Sequence, residues 1–134
     1  MNTYTIKEMS KRYQVQASTL RYYEDIGLLV NVGRSANGQR IYTEEHIARM
    51  DGITCFKNTG LPIAQILAFY RYESDIPANI DDIIALVEKH EADTARQIEK
   101  MQSDLLHIRH KVRFYHGIKE AIAQNKSWPD WNEV

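Results

Sequence analysis

Residues 18–29 read STLRYYEDIGLL, and within them Ser18, Arg21 and Tyr22 are separated by three and four positions. On a helix that spacing gathers a hydroxyl, a guanidinium and a phenol on one face. Charged side chains are almost never fully buried unless paired, so a helix that only filled a core would not carry Arg21 among Leu20, Tyr22 and Tyr23. The three polar groups suit phosphate oxygens and base edges in a DNA major groove. The alternative is a solvated face on which Arg21 pairs with Glu24 or Asp25. A second cluster follows in GRSANGQRIY, residues 33–42. On an extended strand Arg40 and Tyr42 project from one face, Gln39 and Ile41 take the other, and Arg34 lies across the turn. Such residues act as backbone clamps, which add position without reading sequence. Otherwise they are the cations that protect a sheet edge.

Cys55, in ITCFKNTGLPI, is the single cysteine. It forbids an intramolecular disulfide and any multi-thiolate metal site. Three roles remain open for it: an intermolecular bridge, a reactive thiol, which needs nearby cations or a helix N-terminus, or a small buried hydrophobe. Asp51 stands one turn before it and opposes ionisation, while Arg49 and Lys57 do not share its face. His107 and His110 lie three apart without an evident third ligand, so neither a metal nor a cofactor is expected. No histidine and orienting partner accompany the thiol, and there is no glycine-rich phosphate loop or carboxylate cluster, so the chain does not read as an enzyme.

The elements that must position these groups follow from capping and periodicity. Thr5-Ile6-Lys7-Glu8 has capping-box spacing and starts a helix, on which Ile6, Met9 and Tyr13 form a buried stripe. After Gln14-Val15-Gln16 a second helix runs from Ala17 to Ile26 and stops at Gly27, suited to a left-handed cap, with Leu20, Tyr23 and Ile26 inward. Two short helices joined by so short a turn make a helix-turn-helix. Asn37-Gly38 is a hairpin signal that points to a type I′ turn. The hairpin it closes would be a wing. Thr43-Glu44-Glu45 opens a third helix with Ile47, Met50, Ile53 and Phe56 inward, and Gly60 ends it. Pro62 starts a fourth, with Ile63, Ile66, Leu67 and Tyr70 closing the core.

Farther on the spacing changes to heptads. Ile84, Val87, Glu91, Thr94, Ile98, Met101, Leu105, Ile108, Val112 and Tyr115 step alternately by three and four. That is a coiled-coil seam. A helix over 81–116 would be about 54 Å long at 1.5 Å per residue, and its stripe is too long to bury on so small a head, so the chain should dimerise through Ile98, Met101, Leu105, Ile108 and Val112. The expected fold class is therefore all-α with a small β-hairpin wing. A winged helix-turn-helix head occupies 1–72, a hinge 73–80, the dimerising coiled-coil helix 81–116 and a short tail 117–134. At 134 residues a two-lobed enzyme is excluded. No apolar run approaches the roughly 20 residues that span a bilayer, and the N-terminus lacks the apolar core of a signal peptide, which places the chain in the cytoplasm. Charge is divided: residues 1–71 hold nine Lys/Arg against six Asp/Glu, and residues 72–134 eight against twelve. A basic front half matches a phosphate-binding footprint.

The segment TIKEMSKRYQVQASTLRYYEDIGLL, the R-x3-G-Q-R-x-Y wing, KNTGLPIAQI and the long heptad helix together resemble the MerR family of bacterial transcription regulators, over nearly the whole chain. The resemblance implies a homodimer joined by an antiparallel coiled coil. It also implies binding to a palindrome in an overlong promoter spacer, which the protein distorts so that RNA polymerase can use it. Arg21 and Tyr22 then fall at recognition-helix contacts, Arg40 and Tyr42 at wing contacts, and Arg34 and Lys57 at further backbone contacts. Gln14 and Gln16 depart from the glycine and serine common at those places, and Gln39 replaces a common aromatic. The stretch around Cys55 is similar to the subgroup that lacks a metal loop and answers to aldehydes or other electrophiles through one thiol. A DNA-bending accessory protein without effector sensing is the alternative.

Overall fold

A computed structural model describes residues 2–134. The chain divides into two compact units between Glu88 and Lys89. In the first, helix α1 (Ile6–Tyr13) opens on the expected capping box: the Glu8 amide donates to Thr5 Oγ1 at 3.1 Å and the Thr5 amide to Glu8 Oε1 at 2.9 Å. Helix α2 (Ala17–Asp25) follows a tight turn in which Gln14 adopts the left-handed conformation, φ 54° and ψ 45°, without being glycine. Gln16 caps α2 without a side-chain hydrogen bond. Both departures noted in the sequence are thus real deficits of local specification. Ser10 compensates by donating its hydroxyl to the Val15 carbonyl. At the far end Gly27 is left-handed, φ 81°, as the cap requires.

Strands β1 (Gly33–Arg34) and β2 (Arg40–Ile41) pair antiparallel, Gly33 opposite Ile41 and Arg34 opposite Arg40. The turn between them is not type I′. Only Gly38 has positive φ; the Gly38 amide donates to the Ser35 carbonyl at 2.9 Å and the Ser35 amide to that of Gln39 at 2.7 Å. This is a three-residue loop whose left-handed glycine makes a bulge. The wing is fastened at its base where Tyr4 and Tyr42 exchange backbone hydrogen bonds of 2.8 and 2.9 Å.

Helix α3 (Glu44–Asn58) is capped at Thr43, and its third residue, His46, takes the place of the usual acid. The Thr43 amide donates to His46 Nδ1 at 2.9 Å, so that nitrogen carries no proton, and Nε2 donates to the Val30 carbonyl at 2.7 Å. One buried imidazole therefore joins the start of α3 to the segment leaving α2. After Gly60, left-handed at φ 89°, helix α4 (Ile63–Glu73) begins one residue later than expected, with Pro62 as its cap. Met9, Leu20, Tyr23, Leu28, Leu29, Tyr42, Ile47, Met50, Ile53, Leu61 and Ile66 form the core of this unit. Full burial of such side chains stabilises by about 1.5–3 kcal/mol each. Gly52 has a steric reason: a Cβ there would lie 2.2 Å from the Tyr70 hydroxyl.

The hinge expected at 73–80 reduces to Ser74 and Asp75, because helix α5 runs over Ile76–Ala123. Pro77 lies in its first turn, where a missing amide hydrogen leaves no bond unmade, and the Ala78 amide donates to Asp75 Oδ1 at 3.4 Å. Proline and acids mark a helix start here. Leu86, on the first part of α5, packs against the core above, so that unit extends past residue 72. In the second unit α5 outlasts the expected end at residue 116 and closes on left-handed Asn125, φ 52°, with the Lys126 amide donating to the Ala121 carbonyl at 2.9 Å. It continues because the tail covers a second face of it. Trp131, in a short 3-10 helix (Trp131–Glu133), packs 4.1 Å from His110 and 5.1 Å from Phe114, and the His110 Nε2 lies 2.6 Å from its carbonyl. No helix among the described residues is long and apolar enough to cross a membrane.

Gln14→Gly should raise stability by about 0.5–1 kcal/mol, the left-handed strain relieved less the extra freedom given to the unfolded chain. Chemical denaturation at matched protein concentration reads this as a higher midpoint. A lower midpoint would mean that the Gln14 side chain compensates for its backbone.

Candidate nucleic-acid interface

Ser18, Arg21 and Tyr22 are all exposed on α2, as the spacing requires. Leu20 and Tyr23, fully or nearly buried, hold the helix from beneath. Tyr22 is 49% exposed and leans on Tyr23, ring centroids 6.2 Å apart. The Ser18 hydroxyl makes only a long bond, 3.3 Å, to Gln16 Oε1. Arg21 borders a concavity of about 480 Å³ lined by Thr5, Ile6, Lys7, Gly38, Gln39 and Arg40 as well. Three cations from α1, α2 and β2 thus meet in one groove whose lining contains no carboxylate. That groove can receive a polyanion.

On the wing, Arg34 is exposed and donates from Nη1 to the Gly38 carbonyl at 3.1 Å. Arg40 donates from Nε to Glu24 Oε2, with 20% and 18% of the two side chains exposed. Glu24 is therefore the partner of Arg40 and not of Arg21. This pair fastens the wing to the recognition helix and leaves the two terminal nitrogens of Arg40 for another acceptor.

Tyr42 requires correction as a direct contact. It does share a face with Arg40, but that face looks onto α2 and the core, and Tyr42 is completely buried. Its ring meets His46 edge-on at 5.6 Å. Burial, reinforced by the charge of Glu24, pushes its phenol up to about 12.

Lys57, exposed at the end of α3, lies 5.9 Å over the Tyr23 ring. It borders a concavity of about 390 Å³ with Thr19, Tyr22, Tyr23, Gly60, Leu61 and Ile63, next to the recognition helix. Cys55 is exposed, so packing inside the head is not its role. Near it, Asp51 accepts from the Tyr13 hydroxyl at 2.8 Å, and Arg49 stacks 4.0 Å over the Tyr70 ring. Burial and the bond to Asp51 push the Tyr13 phenol up to about 12. His107 and His110 both turn to Trp131, and among the described residues no group of three or more His, Cys, Asp or Glu could hold a metal.

Residues 4–72 match the family model described as MerR HTH family regulatory protein. An uncharacterized HTH-type transcriptional regulator of Haemophilus influenzae is 30% identical over 117 residues, 87% of each chain. Among solved structures, HiNmlR, a MerR family regulator lacking the sensor domain and bound to promoter DNA, superposes with a TM-score of 0.81 at 29% identity, over 93% of this chain and 92% of that one. A MerR family transcriptional regulator from Bacillus thuringiensis gives 0.72 at 30% identity, over 84% and 98%. The chain belongs to the MerR family of helix-turn-helix regulators, which are regulators of transcription and not enzymes.

Sequence reasoning missed three participants. Lys7 enters the groove from the first turn of α1, Glu24 holds Arg40, and His46 ties α3 to Val30. Lys7 carried a weak signal, a cation in the first turn of a helix-turn-helix. Glu24 and His46 act across sixteen positions each, and no local pattern announces that.

Proposed function

We propose that the protein is a cytoplasmic, homodimeric transcription regulator that binds a palindromic promoter site and distorts it. RNA polymerase then responds indirectly, through promoter geometry. The observation that carries this is the carboxylate-free groove shared by Lys7, Arg21 and Arg40 beside the exposed Ser18, Arg21 and Tyr22. The resemblance to a regulator bound to promoter DNA supports it. Arg21 and Tyr22 face the bases, while Arg34, Arg40 and Lys57 clamp phosphates. Arg40→Ala should weaken binding to every DNA sequence alike and lower the slope of log affinity against log salt by about 1. An unchanged slope in a salt titration would remove Arg40 from the phosphates.

Dimerisation follows from the seam. Ile98, Met101, Leu105, Ile108 and Val112 are all exposed, Met101 by 69%, and form one stripe opposite the face that Trp131 covers. Charge favours antiparallel pairing. Residues 76–95 of α5 carry five carboxylates and one lysine, whereas residues 96–123 carry six Lys/Arg and three carboxylates. Opposed chains set acidic halves against basic ones; parallel chains set like against like. Leu105→Glu should give monomers in sedimentation, and a variant that stays dimeric places the seam elsewhere.

The effector chemistry suited to the site is addition of the Cys55 thiol across the carbonyl of an aldehyde: an S–C bond forms to the carbonyl carbon, the C=O π bond breaks, and the proton lost from sulfur ends on the oxygen, giving a hydroxyl. An exposed thiol on α3 supports this. Transcription in vitro from a selected operator, with wild type against Cys55→Ser and with or without a reactive aldehyde, tests it. Induction that disappears in the serine variant is the expected outcome; equal induction in both takes the sensor away from Cys55.

A further inference from the structure

A cavity of about 440 Å³ lies between the α1–α2 turn, α2 and α3, apart from the groove already assigned to DNA. Its size is that of a small-ligand site. One wall is apolar, built of Val15, Tyr23, Met50 and Ile53, the last three nearly or fully buried. The other carries Arg12, Gln14, Thr54, Lys57 and Asn58 and no carboxylate. Asp51, which accepts from the Tyr13 hydroxyl, does not border the cavity.

The polar wall has little to do in the free protein. Among the described residues the Gln14 and Asn58 carboxamides and the Thr54 hydroxyl make no hydrogen bond. Arg12 and Lys57 pair with no carboxylate among the described residues; Arg12 rests 5.8 Å over the Tyr4 ring and Lys57 5.9 Å over that of Tyr23. Gln14 stands out, because it holds the left-handed turn at φ 54°, where glycine would be unstrained. Its side chain gives the fold nothing in return. Backbone strain of this kind collects where a residue serves a ligand or a switch.

We propose that this cavity binds a small organic carboxylate, its apolar body against Tyr23, Met50 and Ile53 and its charged end among the donors Arg12, Gln14 and Lys57. Lys57 also borders the concavity beside the recognition helix, with Thr19 and Tyr22. One ammonium thus serves two cavities. With Lys57 a phosphate clamp, as proposed above, a bound acid holds it away from DNA, and by reciprocity operator DNA weakens the hold on the acid.

Calorimetric titration of the full chain with benzoate, phenylacetate and hexanoate, and with uncharged benzamide, tests this. At least one acid should saturate at one site per chain, with benzamide about tenfold weaker or more, the loss expected when a hydrogen bond to a charged group disappears. Gln14→Gly and Lys57→Ala should each weaken that acid by about the same tenfold, Gln14→Gly with a denaturation midpoint equal to or above that of wild type. Saturation by none of the acids, equal binding of benzamide, or unchanged acid affinity in either variant overturns the site. The acid should also weaken operator binding by wild type and leave that by Lys57→Ala unchanged. If Lys57→Ala keeps wild-type operator affinity and salt slope without acid, the phosphate clamp fails and the coupling with it; if it loses both while the acid leaves wild-type operator binding unchanged, the coupling alone fails.

Discussion

A hairpin with two paired residues per strand cannot stand alone in water, so whatever the wing presents depends on how it is fastened. Three attachments do this, each of a different kind. The backbone exchange between Tyr4 and Tyr42 seats its base against the approach to α1, the burial of Tyr42 draws its return strand into the core, and Glu24 holds Arg40 to the recognition helix. The groove exists because these attachments converge. Lys7, Arg21 and Arg40 belong to three elements, and only the fastened wing brings the third cation to the other two.

The second unit obeys a different constraint. A helix with apolar residues on two opposite faces needs two covers, and the chain supplies one. Trp131 and Pro129 close on the face of His110, Phe114 and Gly117, where a Cβ on Gly117 would lie 3.0 Å from Pro129. The heptad face is left for a like partner, with an acidic half and a basic half that give the pairing a direction. The two histidines that suggest a metal by spacing are used for packing.

Much of the fold was legible because it is written locally. The Thr5 and Glu8 box, the left-handed Gly27 and Gly60 and the stripes of α1 to α4 each need only neighbours within a few positions. The misreadings share a physical cause. Alternation along residues 39–42 tells which side chains share a face but not which face is inward, so Tyr42 was assigned to DNA. Proline reads equally as a break or a first turn, so a hinge was expected where α5 begins. Asn37-Gly38 fits two loop geometries, and the structure uses the one that needs a single left-handed residue. Of the interface, the exposed residues of α2 and the wing arginines were visible in spacing; the carboxylate and the imidazole that hold them lie sixteen positions from their partners.

The docked tail has a spectroscopic consequence. Both tryptophans of the chain, Trp128 and Trp131, stand in the last seven residues, whereas seven of the eight tyrosines precede residue 73. Trp131 sits against His107, His110 and Phe114, while Trp128 is 63% exposed. Indole emission therefore reports on the far end of α5 and the tail docked on it. Tyrosine absorbance carries mainly the opposite information. The molecule has two intrinsic reporters already divided between its two units, with no label attached.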